Sequence, residues 1–124
     1  MQKTQLKKSV LEAEISKSLT QWEKEYLGRG SVNVKTDIVR NMIIVILKGV
    51  LTPAEKELAK DPQGILDIKK TRAALIESGN QQLKSIIYEM TNEEVVSFHT
   101  DISVHNGERV IVFMLNDNLE KKLI

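Results

Sequence analysis

The stretch FHTDISVHNGERVIVFML, Phe98 to Leu115, decides the fold because it has the pattern of a β-hairpin. Apolar and polar residues alternate from Val95 to Val104, which is typical of a strand with two different faces. Asn106-Gly107 follows, and this dipeptide is the strongest short hairpin signal. The residues from Arg109 to Leu115 then return as the partner strand. This half of the chain therefore predicts two antiparallel strands.

An earlier stretch, SVNVKTDIVRNMIIVILKGV, predicts a second hairpin. Its first part alternates between apolar and polar residues, and Arg40-Asn41 supplies the turn. Its second part, beginning at Met42, is β-branched and apolar on both faces. One face can pack on helices, but the other also needs cover from a helix or from a second copy of the chain. We therefore expect a homodimer.

Three helical segments precede or separate the two hairpins in the sequence. The first carries an apolar stripe that ends at Gly28-Arg29-Gly30, and its members are Val10, Leu11, Ile15, Leu19, Trp22 and Tyr26. The second begins with a capping box, in which Thr52 is the N-cap and Glu55 stands three residues later. The third begins at Pro62 and runs as a long helix, with Gly79 inside its apolar stripe as a point of close crossing or of a kink.

The order of these segments predicts the fold class. It is α+β, with a four-stranded antiparallel sheet made of two hairpins and helices mainly on one face. The expected order is α-β-β-α-α-β-β. Because no linker or composition shift divides the chain, residues 1–124 form one domain.

Composition excludes several function classes. The net charge is +1 and aromatic residues make up 4%, so nucleic-acid binding is not expected. The chain has no cysteine, which removes disulfides and thiolate chemistry. The longest apolar run, Met42 to Leu47, is far shorter than the roughly 20 residues of a membrane helix. We expect no secretion signal, no direct membrane insertion and a cytoplasmic protein that reaches the inner face of the membrane only through a partner.

His99 and Asp101 are the residues that most resemble a reactive pair. They stand two apart in a predicted strand, so they share a face, and an aspartate that orients a histidine makes a general base. Neither Ser97 nor Ser103 lies in a nucleophile turn, and the sequence has no nucleotide-binding loop and no His or Glu spacing typical of a metal site. We therefore assign no catalytic residue, no metal and no cofactor.

An interface or ligand site is the preferred interpretation of that face. Across the hairpin, the return strand supplies either Arg109 with its alternate neighbours or Val110 with its own, depending on register. Polar side chains beside apolar ones are typical of a contact surface. We mark His99, Asp101 and Arg109 as the candidate residues.

Four segments together resemble one family: GRGSVNVK (Gly28 to Lys35), LKGVLTPAEKELAK (Leu47 to Lys60), FHTDIS and GERVIVFML (Gly107 to Leu115). They are similar to the MpsC family, named for a component of a Na+-translocating membrane-potential-generating system. The resemblance extends over nearly the whole chain, in the same order. It implies a small accessory or regulatory protein, encoded beside membrane components that are related to respiratory subunits and linked to inorganic-carbon uptake. It carries over no catalytic residue.

Three functions follow in order of preference. The first is a non-enzymatic dimer that contacts a membrane protein of an ion or bicarbonate transport system. The second is a sensor of an anion or of pH, in which Arg109 meets the anion and His99 titrates, since histidine changes charge near neutral pH. The third is a minor enzyme that uses His99 as its base and Asp101 to orient it, which requires a pocket around the pair.

Overall fold

The computed structural model describes residues 6–124. Its helices and strands, in chain order, are α1 (Lys8–Trp22), β1 (Asn33–Val39), β2 (Met42–Lys48), α2 (Pro53–Leu58), α3 (Pro62–Ser78), α4 (Asn80–Thr91), β3 (Val95–Ser103) and β4 (Glu108–Leu115). A π-helical turn, Glu23–Leu27, extends α1, and a 3-10 turn, Glu120–Lys122, follows β4. The α+β class and the order of helical segments and hairpins are confirmed.

The four strands form one antiparallel sheet in the order β1-β2-β4-β3. The hairpins β1–β2 and β3–β4 lie side by side, and their inner strands, β2 and β4, pair with each other. These inner strands are the two that carry apolar residues on both faces. The outer strands, β1 and β3, carry the polar alternation.

The two hairpin connections differ in length. In the first, Val39 pairs with Met42, so Arg40-Asn41 is the whole loop, and Arg40 takes a left-handed φ of 55°. In the second, Ser103 pairs with Glu108, so the loop contains four residues and not only the Asn-Gly dipeptide. A two-residue Asn-Gly loop would shift the pairing by two positions. That shift keeps every side chain on the same face, so the predicted faces are unaffected.

The hydrophobic core lies between the helices and one face of the sheet, which we call the core face. From the sheet it takes alternate residues of each strand, including Ile43, Val45, Ile111 and Phe113. From the helices it takes the predicted apolar stripes, including Leu11, Ile15, Leu19, Ile76, Leu83 and Ile87. Val10 was wrongly placed in the first stripe: it is 50% exposed, because Leu11 one position later begins the buried i, i+4 series.

The helix predicted from Pro62 is divided at Gly79 into α3 and α4. A Cβ atom at Gly79 would lie 2.4 Å from Cζ2 of Trp22, so only glycine lets the chain pass this close to α1. The indole of Trp22 in turn stacks on Tyr26 and donates a hydrogen bond to Gln82 at 2.8 Å. Packing against Trp22 therefore fixes the point where the two helices meet.

The capping box at the start of α2 is confirmed. The backbone N–H of Glu55 donates to the Thr52 hydroxyl, and the backbone N–H of Thr52 donates to the Glu55 carboxylate. Arg72 of α3 contacts the same carboxylate at 2.6 Å. Burial alone would raise the pKa of Glu55, but the hydrogen bonds from Arg72 and Thr52 outweigh it and lower that pKa.

The first and last described segments are joined by backbone hydrogen bonds. The N–H of Lys8 donates to the carbonyl of Ile124 at 3.0 Å, and the N–H of Ile124 donates to the carbonyl of Leu6 at 2.9 Å. The ammonium of Lys8 also meets the carboxylate of Glu120 at 2.9 Å. The end of the chain therefore packs beside the start of α1.

Candidate functional site

The sheet face opposite the core face is the candidate site, and we call it the open face. Its apolar centre comes from the inner strands and consists of Met42, Ile44, Ile46, Val110, Val112 and Met114. Its flanks come from the outer strands and consist of Asn33, Lys35, Asp37 and Val39 on β1 and Ser97, His99, Asp101 and Ser103 on β3. In the apolar centre Val110 is 36% exposed and the other five residues are half-buried, whereas Ile43, Val45, Ile111 and Phe113 on the core face are at most 2% exposed.

The register places these residues in cross-strand rows. Lys35, Ile46, Val110 and Asp101 form one row across the sheet, and Asp37, Ile44, Val112 and His99 form the next. Each row therefore has a charged or titratable residue at each end and two apolar residues in the middle. Such a face has an apolar centre and a polar rim, as protein interfaces do.

His99 and Asp101 share the open face, as the alternation predicted. His99 Nε2 lies 3.3 Å from the Ser97 hydroxyl. Asp101 Oδ1 accepts the backbone N–H of Ile102 at 2.8 Å and lies 3.8 Å from the ammonium of Lys69. Each side chain thus has its own partners, and the aspartate does not orient the imidazole as a general base requires. The Asp101 side chain is 83% exposed, so it lies on an open surface and not in a pocket.

Arg109 lies on the opposite side of the sheet from His99 and Asp101. It pairs with Ile102 and Leu47, both core-facing residues, and it is only 5% exposed. Its guanidinium donates a hydrogen bond to the Thr100 hydroxyl at 2.7 Å. Of the two registers open at the sequence level, the structure has the one that brings Val110, not Arg109, beside the histidine. The three candidate residues therefore do not form one cluster.

Burial changes the chemistry of Arg109. It lowers the pKa of the guanidinium to about 10, and the nearby positive charge of Arg72 acts in the same direction. The negative charges of Asp101 and Glu23 oppose this shift of the Arg109 pKa. Arg109 remains charged at neutral pH, as a buried cation held by a hydroxyl.

The space around Arg109 is too small for a ligand. The cavity between the helices and the core face, lined by Glu23, Arg72 and Arg109 among apolar side chains, has a volume of ≈ 10 Å³. A single water needs roughly 10–15 Å³ of this kind of volume. Arg109 therefore contributes to the core of the domain and not to a ligand site.

Sequence reasoning missed the residues of the other flank. Lys35 and Asp37 were recognised only as the polar half of an alternating strand. Their position opposite His99 and Asp101 depends on the pairing of β2 with β4, which joins the two hairpins. The signal that could have found them is the doubly apolar character of both inner strands, because two such strands are most stable side by side.

One protein family matches this chain along nearly its whole length. A model of the family described as "Na+-translocating membrane potential-generating system (MpsC)" matches residues 7–117, which include the four strands and α1 to α4. The chain belongs to the MpsC family. The predicted resemblance is confirmed, and the family description associates MpsC with a Na+ membrane-potential system.

Two relatives from Bacillus subtilis (strain 168) are similar to this MpsC-family chain. "Uncharacterized protein YbcI" is 61% identical over 116 residues, which cover 94% of each chain. "Uncharacterized protein YrhF" is 26% identical over 100 residues, which cover 80% of this chain and 82% of the relative. No solved structure matches the chain.

Proposed function

We propose that this MpsC-family chain is a non-enzymatic accessory or regulatory protein of a membrane system that moves cations or inorganic carbon. It acts through protein–protein contacts made by the open face. The observation that carries this proposal is the apolar centre of that face, which the helices leave in contact with solvent. The family description supplies the Na+ membrane-potential system, and inorganic carbon is what the family resemblance implies.

The apolar centre supports a contact function because its composition has no reason in the monomer. A sheet face that stays in water normally carries polar residues, which alternate along each strand with the apolar residues of the buried face. Here β2 and β4 present only Met, Ile and Val to the open face between Met42 and Ile46 and between Val110 and Met114. Contiguous exposed apolar side chains with a polar rim mark surfaces that bind proteins.

The geometry of His99 and Asp101 favours contact over catalysis. Both lie on a flat strand surface, and their hydrogen bonds go to other groups. A catalytic pair needs a concave pocket that excludes water and fixes the substrate. On the open face the same side chains instead supply the polar rim that surrounds an apolar contact.

The partner we propose is a membrane-spanning subunit of the Na+ or bicarbonate transport system. The family description names a membrane-potential-generating system, and such a system needs subunits that cross the bilayer. Among residues 6–124 of this chain, no helix combines the length and the apolar character of a bilayer span.

The test is co-isolation from solubilised membranes of the native host, with tagged wild type beside a His99→Ala, Asp101→Ala double variant. We expect wild type to recover an ion- or bicarbonate-transport subunit, identified by mass spectrometry, and the double variant to recover much less of it. Leu66→Ala is the matched control, because Leu66 is 61% exposed on α3, away from the sheet.

A second readout measures the function itself. Deleting the gene in its host should reduce the Na+-dependent part of the membrane potential, and wild type should restore it while the double variant does not. An unchanged membrane potential in the deletion strain, together with no recovered membrane subunit, would refute the proposal. Ligand sensing would then be the leading function, and a metabolite-binding screen the next experiment.

A further inference from the structure

We infer that the open face binds the open face of a second copy of this chain, with the two-fold axis parallel to the strands. In this arrangement β1 of one copy lies over β3 of the other, and β2 lies over β4. The inference rests on the proposed function, which makes the open face a contact surface. It names the occupant of that surface in the free protein, which the transport subunit must displace.

The row structure makes the open face complementary to itself. A two-fold rotation about an axis along the strands, midway between β2 and β4, exchanges the outer strands and the inner strands but keeps each row at its own height. Every row therefore meets the same row of the second copy in reverse order. The rows are Asn33, Lys48, Glu108 and Ser103; Lys35, Ile46, Val110 and Asp101; Asp37, Ile44, Val112 and His99; and Val39, Met42, Met114 and Ser97.

Reversal brings opposite charges together in two of the rows. Lys35 of one copy lies over Asp101 of the other, and Lys48 lies over Glu108. Asp37 lies over His99, which is a hydrogen-bond donor. Each of these contacts occurs twice by symmetry. Lys48 and Glu108 are also cross-strand neighbours within one copy, and Asp101 lies 3.8 Å from Lys69, so the contact of Lys35 with Asp101 is the charged contact that only the facing pair supplies.

The apolar centre is also self-complementary under the same rotation. Ile46 lies over Val110, Ile44 over Val112 and Met42 over Met114. β-branched side chains on one sheet pack between those of the other, as in two-sheet sandwiches, where facing sheets lie about 10 Å apart. This contact removes from water the apolar side chains that the helices leave uncovered.

The dimensions fit. Packed sheets cross at about 30°, and an outer strand lies about 7 Å from the axis, so twist displaces its side chains by about 4 Å along the strand. The flexible four-carbon stem of lysine spans that displacement. Four strands of about seven residues present a planar area of about 450 Å² per copy, so the two copies together approach the roughly 1,000 Å² that a specific interface needs.

Other two-copy arrangements fit less well. A two-fold axis across the strands brings Lys35 over Asp37, but it places the ions of Lys48 and Glu108 over Met42 and Met114. Pairing through the edge of β1 is hindered because Glu12 of α1 already accepts the backbone N–H of Ile38 at 2.8 Å. The edge of β3 is interrupted by a bulge between Val95 and Ser97.

The test is a charge exchange between two separately purified variants, Lys35→Glu and Asp101→Lys. In a homodimer of either variant, both symmetry-related contacts join like charges. In a mixed dimer, one contact joins the two introduced charges and the other joins the two native ones, so both contacts pair unlike charges. We expect sedimentation velocity to show that wild type forms a dimer as its concentration is raised to about 100 µM. Each variant alone should dimerise at least about a hundredfold more weakly, and the mixture should recover wild-type affinity.

Two further variants control for folding and for position. Leu66→Lys changes an exposed apolar residue of α3 and should leave the dimer unchanged. Val110→Lys places a charge in the apolar centre and should abolish the dimer, and neither single-charge partner should rescue it. Far-UV circular dichroism and the midpoint of thermal unfolding, measured in the monomeric state, identify any variant that fails to fold.

The outcomes separate this inference from the proposed function. A wild type that stays monomeric at about 100 µM overturns the dimer. So does a mixture of the two charge variants that does not associate, which would favour another axis or edge. If monomeric wild type still recovers the transport subunit through the open face, the proposed function stands without the dimer. If the dimer forms and no subunit is recovered, the dimer stands and the proposed function fails.

Discussion

Replacing Ile43 or its neighbour Ile44 with alanine tests which side of the sheet is core. The two residues are adjacent in β2 and have the same side chain, but they point to opposite faces. Ile43 is 0% exposed on the core face, whereas Ile44 lies on the open face. The pair is its own matched control, because strand propensity and chain position are almost the same.

The expected losses of unfolding free energy for Ile43→Ala and Ile44→Ala differ several-fold. At Ile43 the substitution removes about three buried methylene equivalents, worth about 2.4 kcal/mol at about 0.8 kcal/mol each. The cavity left behind brings the loss of unfolding free energy to about 3–4 kcal/mol. At Ile44 the side chain already contacts solvent in the monomer, so the loss there is about 1 kcal/mol or less.

Urea unfolding followed by circular dichroism measures both costs, and a series of protein concentrations adds a second test. In the proposed dimer Ile44 contacts the second copy, so the cost of Ile44→Ala should grow as concentration rises and the dimer forms, while the cost of Ile43→Ala should stay constant. Equal costs at the two positions, or a larger cost at Ile44 in dilute solution, would refute the assignment of the faces.

Three further predictions concern buried polar groups and the helix break. Arg109→Met should leave the unfolding free energy unchanged or raise it by about 1 kcal/mol, because the apolar stem is kept and a buried cation is removed. Arg109→Ala should lower the unfolding free energy by about 2 kcal/mol, because the stem is lost as well. Thermal unfolding distinguishes the two variants. Glu55→Gln should cost about 2 kcal/mol at pH 7 through its lost ion pair with Arg72. Because folding lowers the pKa of Glu55 below 4.5, wild type should lose this stabilisation as pH falls from about 4.5, and urea unfolding from pH 7 to 3 should show a flatter profile for the variant. Gly79→Ala should lower the unfolding free energy by about 2 kcal/mol, although alanine is the better helix former, because its Cβ meets the Trp22 indole, whose fluorescence reports the shift.

Each of these predictions has a clear contrary result. A large loss of stability in Arg109→Met would mean that the guanidinium is needed for the fold. Parallel pH profiles for wild type and Glu55→Gln would show that the pKa of this carboxyl is the same in the folded and unfolded states. A stabilised Gly79→Ala variant with unchanged Trp22 fluorescence would mean that α3 and α4 can join as one helix.

Local signals predicted the elements well because their causes are local. The Arg40-Asn41 loop, the Thr52 capping box and the alternation of β3 each depend on residues within a few positions of one another. Such features persist in the folded chain because the tertiary packing agrees with them. The class and order of elements followed from these signals alone.

What the sequence left open depends on contacts between distant segments. The pairing of β2 with β4 brings together residues that are far apart in the chain, such as Met42 and Met114, and it decides what lies opposite His99. The same pairing places Arg109 on the core face, where Thr100 and the apolar residues around it replace the solvent. Gly79 was recognised as a point of close approach, but its partner, Trp22 of α1, is identified only by the packing.

The sequence predicted one flank of the candidate site and missed the other. The strand period placed His99 and Asp101 on one face, because alternation is fixed by the backbone. The opposite flank, Lys35 and Asp37, needed the full sheet order. The homodimer was expected from the apolar run that begins at Met42, and it stays a prediction with the charge exchange as its test.

The backbone hydrogen bonds of Ile124 with Leu6 and Lys8 hold the first and last described residues side by side. A short flexible linker from Ile124 to Leu6 would complete the circle, and the chain could then be opened elsewhere, as at the four-residue loop that ends at Gly107. Such a circular permutant would begin with β4 and finish with β3. Because Leu6 and Ile124 are adjacent, residues 6–124 could also be inserted into a surface loop of another protein with both junctions at one place.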